Sequence, residues 1–147
     1  ADFERIFLLD KKNRYVGAKI RTGSFTSTDI ELQSVEMDGS LTQTPEFPYN
    51  WMYDGSRPQM PGFEMEITCK SLFLIFKDSG EMDVGKADVF VNDVYCMTAD
   101  PHKNNWLHCN AVLLFWETES RSHKVRITVT EEDQNKKFTI LGFGYTI

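Results

Sequence analysis

The chain of 147 residues carries 16 Lys and Arg against 22 Asp and Glu, a formal charge of −6, with 41% hydrophobic and 26% charged residues. That length suits one domain with its own core, and the balance is that of a globular chain rather than a disordered one. An acidic chain lacks the basic face that a phosphate backbone requires, and apolar runs such as residues 111–116 fall far short of the roughly 20 residues that span a bilayer; neither nucleic acid nor membrane is expected as a partner.

Residues 5–9, 15–20 and 30–36 read as weak strands. Residues 63–69 alternate clearly, with Phe63, Met65, Ile67 and Cys69 against Glu64, Glu66 and Thr68, the period of a half-buried strand. Residues 72–77 form a short apolar run of the kind buried on both faces. Strands follow at 87–95, 111–116, 124–130 and 138–147, punctuated by turn signals such as Asp78-Ser79-Gly80, Asn92-Asp93 and Asp133-Gln134-Asn135. No helical stripe, repeat or low-complexity tract interrupts them. The pattern predicts an all-β fold, an antiparallel β-sandwich of jelly-roll type, as one domain over 1–147.

Two long loops break this rhythm. Residues 44–62 hold four of the five prolines, and residues 97–108 hold Pro101. Long loops without secondary structure of their own are usually functional. The three cysteines, Cys69, Cys96 and Cys109, leave an odd thiol whatever pairs. Cys96 and Cys109 flank the second loop and can bridge if their strands are neighbours; the alternative is three partly buried thiols packing as small hydrophobes.

Catalytic constellations are absent from the pattern. There is no G-x-S-x-G elbow, and Ser79 reads as a turn residue. His102, His108 and His123 show no metal-ligand spacing, and His123 reads as a solvated or capping residue opening a strand. Cys109 and His108 are adjacent on a strand and point to opposite faces. Asp78, Glu81 and Asp83 form an acidic turn that clustered-oxygen chemistry allows for structural calcium, without EF-hand spacing; a solvated turn explains it as well. No cofactor is expected, and the chain reads as a non-enzyme.

Aromatics inside polar loops are the more informative feature. Sugar rings present an apolar C–H face, read by stacked Trp or Tyr, and a rim of hydroxyls, read by amide and charged side chains. Tyr49, Trp51 and Tyr53 alternate along the first loop beside Asn50, Asp54 and Arg57, and Trp106 in the second follows Asn104 and Asn105. Trp51 and Trp106 are the expected stacking platforms, with Tyr53 and Tyr49 in support. Asn104, Asn105, Asp54 and Arg57 would orient hydroxyls. The competing reading buries these rings to pin the loops. Trp116, within an apolar run, is expected in the core.

The stretch 63–91, followed by NNWLHCNAVLLF, HKVRITV and KKFTILGFGYTI, resembles the jelly-roll carbohydrate-binding modules of plant-wall-degrading anaerobic bacteria. It is also similar to the non-catalytic jelly-roll domain of SGNH/GDSL carbohydrate esterases. The resemblance covers about residues 47–147, and the tail is its most specific part. It implies a secreted, often cellulosomal module cut from a larger protein. Such a module is a monomer covalently linked to a catalytic domain that it holds on β-glucan, xyloglucan or a related polysaccharide. The alternative it implies is an accessory domain packed against an esterase.

Overall fold

Period-two alternation commits most of the chain to strands, and long strands with polar interruptions must bend to bury their apolar faces. The computed structural model describes residues 5–31, 34–35, 41–42, 47–103 and 109–147. The described residues form strands β1 (Phe7–Leu9), β2 (Ala18–Arg21), β3 (Ser34–Val35), β4 (Leu41–Thr42) and β5 (Trp51–Tyr53). They continue as β6 (Phe63–Lys77), β7 (Ala87–Val91), β8 (Val94–Ala99), β9 (Cys109–Val129) and β10 (Phe138–Thr146), with a 3-10 turn at Glu131–Asp133. Among the described residues all strand pairings are antiparallel: the order is β1-β10-β6-β9-β7-β8, with β2 added to β6 and β5 to β10, while β3 and β4 pair with each other.

Two strands belong to both layers of the sandwich. The first half of β6 pairs with β2 through Glu64–Ile67, and its second half pairs with β10 through Ser71–Phe76. β9 follows β6 along its whole length and takes β7 as its other neighbour only over Val125–Val129. Between Cys69↔Arg121 and Ser71↔Trp116 the register slips, so residues 117–120 stand against Lys70 alone. A bulge of this kind bends and twists a strand pair, and here it lets one ribbon fold over onto itself.

Folding over brings the halves into contact through aromatic rings. Phe63 stacks on Phe143 with centroids 5.7 Å apart, Trp51 tilts onto Phe63 at 5.2 Å, and the fully buried Phe25 meets Phe63 edge-on at 6.2 Å. Met65, Ile67, Leu72, Leu74, Val125 and Ile127 fill the space around them.

The jelly-roll sandwich expected from periodicity is the architecture found, with four local differences. Residues 63–69 and 72–77 are one strand, and so are 111–116 and 124–130, because bulges rather than turns separate them. Residues 87–95 split at Asn92 and Asp93, whose φ of 52° and 65° build the tight hairpin turn joining β7 to β8. Residues 97–99, expected in the second loop, complete β8. None of the three cysteines forms a disulfide; burial, aided by nearby Glu117, pushes the Cys69 thiol up to about 12.

Gly62, immediately before β6, lies against β9: a Cβ there would sit 2.4 Å from the Ile127 carbonyl oxygen and 2.5 Å from the Thr128 methyl. Gly62→Ala is therefore expected to cost about 1–3 kcal/mol, the range of an overpacked site, and to lower the thermal midpoint. An unchanged midpoint would mean that the segment shifts away without cost.

Candidate ligand cleft

The first long loop does not stand clear of the sandwich. Its centre is β5, which pairs with the start of β10 through Ile140↔Trp51 and Phe138↔Tyr53. Strand alternation then turns both rings inward: Trp51 is 3% exposed and Tyr53 2%. The Tyr53 hydroxyl donates to the Gln134 carbonyl at 2.5 Å. The expectation that Trp51 and Tyr53 present stacking faces is corrected here: the Tyr-x-Trp-x-Tyr spacing is a strand's core face, and the competing reading of buried, loop-pinning rings holds for these two. Tyr49 stays 41% exposed, with Lys12 Nζ over its ring at 5.1 Å. Asp54 takes hydrogen bonds from the Ser27 hydroxyl at 2.5 Å and from Ser56, which hold its carboxyl down at about 2. Arg57 is exposed. Trp106, Asn104, Asn105 and His108 lie outside the described residues.

Where the two loops are anchored, the fold gathers a buried polar network. Asn50, fully buried, accepts from the Asp29 amide at 2.7 Å through Oδ1 and donates through Nδ2 to the carbonyls of Asp29 and Phe47. The Asp29 carboxylate accepts from Lys77 Nζ at 3.1 Å, the Thr139 hydroxyl at 2.6 Å and the Glu31 amide at 2.9 Å. Lys77 is the register partner of Cys109, and the Pro101 carbonyl accepts from the Ser79 amide at 3.0 Å. Both loop anchors therefore meet at the Asp29–Lys77 pair. His102 Nε2 donates to the Val84 carbonyl at 2.6 Å and fixes the start of the second loop.

A cleft of about 220 Å³ opens beside this network, lined by Thr28, Ile30, Glu81, Asp83 and Lys137 around Lys77. Ile30 projects from its rim, 85% exposed, and Lys137 pairs with Asp83 at 3.4 Å. The cleft thus offers an apolar edge, hydroxyl and ammonium donors, and carboxylate acceptors: the complement of a neutral, hydroxyl-bearing ring. Asp78 instead accepts from Asn110 at 3.0 Å, so Asp78, Glu81 and Asp83 do not converge. Among the described residues no group of three or more His, Cys, Asp or Glu side chains is placed to hold a metal ion.

Two further placements depart from expectation. Trp116 is 74% exposed instead of buried, because a second bulge in β9, with one extra residue between Phe73↔Leu113 and Leu72↔Phe115, shifts the alternation and sends Phe115 inward and Trp116 out. His123 lies within β9 rather than at a strand start, its ring against Phe115 at 4.1 Å and paired with Glu117. Asp29, Lys77 and Thr139 were not singled out from sequence. They meet across 48 and 110 residues of chain, and no local pattern announces them.

No protein-family model and no curated protein matches the chain. Among solved structures the fold is similar to a two-domain esterase active on acetylated mannans, at TM-score 0.62 and 11% identity over 97% of this chain and 36% of that one. It is also similar to a family two carbohydrate esterase from Cellvibrio japonicus (0.54, 14%, 98% and 34%). A family 35 carbohydrate-binding module from an environmental isolate matches over 93% of this chain and 90% of its own (0.50, 14%). The chain spans about a third of the length of the esterases. At these identities the likeness is one of fold: a jelly roll of the kind found in carbohydrate-binding modules and within carbohydrate esterases.

Burial pushes the Asp29 carboxyl up, but the Thr139 hydroxyl, the Lys77 charge and the Glu31 amide outweigh it and hold the group below its ordinary 3.8. A depressed carboxylate contributes stability that is full above its unfolded value and is lost as pH falls through its folded value. Urea midpoints are therefore expected to fall as the pH drops below about 4, and to fall less steeply in Asp29→Asn. Equal slopes in the two proteins would remove Asp29 as the source.

Proposed function

We propose that this chain is a non-catalytic carbohydrate-binding module, a monomer within a larger secreted protein, that holds an attached catalytic domain on β-linked plant-wall polysaccharide. A β-glucan or xyloglucan backbone is the ligand class, and a cellulosomal setting fits such a module. The observation that carries this reading is the cleft beside the Asp29–Lys77 pair. Its donors, acceptors and apolar rim suit a sugar ring, and the buried network holds Asp29, Lys77 and Thr139 in place where they line it. A rigid site avoids the ordering cost that weakens binding. Trp106, with Asn104 and Asn105, is proposed to supply the stacking platform from the loop anchored at Pro101 and Cys109. Tyr49, Asp54 and Arg57 belong to the same surface in this proposal.

Isothermal titration against β-1,4-glucan, mixed-linkage glucan, xyloglucan, glucomannan, xylan and pectin tests it. Saturable heats are expected with one or a few of these. Trp106→Ala is expected to weaken binding roughly tenfold or more, about 1.4 kcal/mol, with the fold intact. Flat heats from folded protein across the panel would overturn the reading.

One observation favours the second reading, an accessory domain packed against an SGNH/GDSL carbohydrate esterase. The outward face of β1, β10, β6 and β9 carries Ile6, Leu8, Leu113 and Trp116, all exposed, in line with Phe73. Contiguous apolar surface of this kind marks interaction sites. Under this reading the isolated chain self-associates and Trp116→Ser makes it monomeric, as sedimentation would record; a wild-type chain that sediments as a monomer at every concentration supports the first reading instead.

A further inference from the structure

A second groove lies away from the loop cleft, on the outward face of the other layer. Its volume is about 480 Å³. The wall is the segment carrying Pro58, Met60 and Pro61, and the floor is Asp88 of β7 with Arg126 and Thr128 of β9. Two glycines set that wall. Gly23, at φ +54°, and Gly62 bring backbone against backbone, since a Cβ on Gly23 would sit 2.2 Å from the Pro61 oxygen. The Ser24 amide donates to that same oxygen at 2.8 Å.

The floor is held in place by its neighbours. Arg126 lies with its guanidinium 4.2 Å over the Phe90 ring, while its register partner on β6, Glu64, pairs with Arg21. Stacking on an aromatic face leaves the guanidinium edge, with its planar fork of donors, directed outward. Asp88 accepts from the Thr98 hydroxyl at 2.7 Å, and that hydroxyl is in turn bonded to Tyr95 at 2.7 Å. Tyr95 meets Phe90 edge-on at 6.0 Å and is exposed. Tyr95, on β8 and outside the groove's lining, stands two strand spacings, about 10 Å, from Arg126, so that a ligand longer than one sugar ring would run from the groove onto it.

We propose that this groove is a second glycan subsite, which takes an uncharged oligosaccharide across the strands. The apolar wall would face sugar C–H groups, Arg126 and Thr128 would donate to ring hydroxyls, and Asp88 would accept from them. The two carboxylates of the lining, Asp88 and Glu131, oppose a phosphate or uronate, so the charge pattern selects neutral sugar. This inference rests on the reading of the chain as glycan-binding, and it adds a site apart from the loop cleft.

The test is a nitrogen-15 NMR titration of the chain with cellohexaose, mannohexaose and a xyloglucan heptasaccharide. Two sets of amides are expected to shift, one near Thr28–Glu31 and Lys77, the other at Met60, Asp88, Arg126 and Thr128. Arg126→Lys keeps the charge but loses the planar fork, and Asp88→Asn keeps a partner for Thr98. Each is expected to weaken the second set at least fivefold while leaving the first unchanged, with dispersed spectra confirming the fold. Shifts confined to the first set would overturn the second subsite and leave the module reading standing. Shifts in neither set, with all three sugars, would overturn both.

Discussion

The structure depends on one ribbon, the antiparallel pairing of β6 with β9, being shared by both layers of the sandwich. Each strand is too long to stay in one sheet plane. The slip at Lys70, where residues 117–120 face a single partner, allows the ribbon to turn over. Only then does Phe63 at one end of β6 reach Phe143 on β10, which pairs with the other end. The aromatic cluster of Phe25, Trp51, Phe63 and Phe143 is a consequence of that fold-over. So is the division of the surface into two outward faces of different chemistry: one apolar around Trp116, the other charged and aromatic around Arg126 and Phe90.

The Asp29–Lys77 pair shows how the fold turns a costly feature into a fixed one. A buried charge without a partner is strongly unfavourable. Here the carboxylate is met by an ammonium, a hydroxyl and an amide from three separate segments. Losing Lys77 would leave the buried charge uncompensated, and losing the Thr139 hydroxyl would leave the carboxylate short of a donor, so the segments carrying Asp29, Lys77 and Thr139 are locked together. Asn50 extends the lock to the first long loop. Asp29, Lys77 and Thr139 share that lock where they line the cleft, and of the other lining residues Glu81 and Asp83 are marked in the sequence as part of an acidic turn.

The aromatic loops illustrate what a one-dimensional pattern conceals. Tyr49, Trp51 and Tyr53 at alternate positions satisfy both an exposed stacking stripe and the inward face of a short strand. The two differ only in whether another strand lies alongside, and β10 does. Trp116 makes the opposite case. Its apolar neighbours suggest burial, but an extra residue within its own strand, β9, reverses which of two adjacent rings points inward.

The sequence by itself determined the class of fold, because period-two alternation and turn residues are local properties that a strand expresses wherever it pairs. It marked a turn signal at Asn92-Asp93 and placed Phe63, Met65 and Ile67 on one inward face for the same reason. Tertiary structure alone decided which aromatic rings face solvent, where the loop anchors converge, and that Asp29 meets Lys77 and Thr139. Those outcomes depend on strand order and register, which arise from contacts between residues far apart in the chain, and no short window of sequence contains both partners.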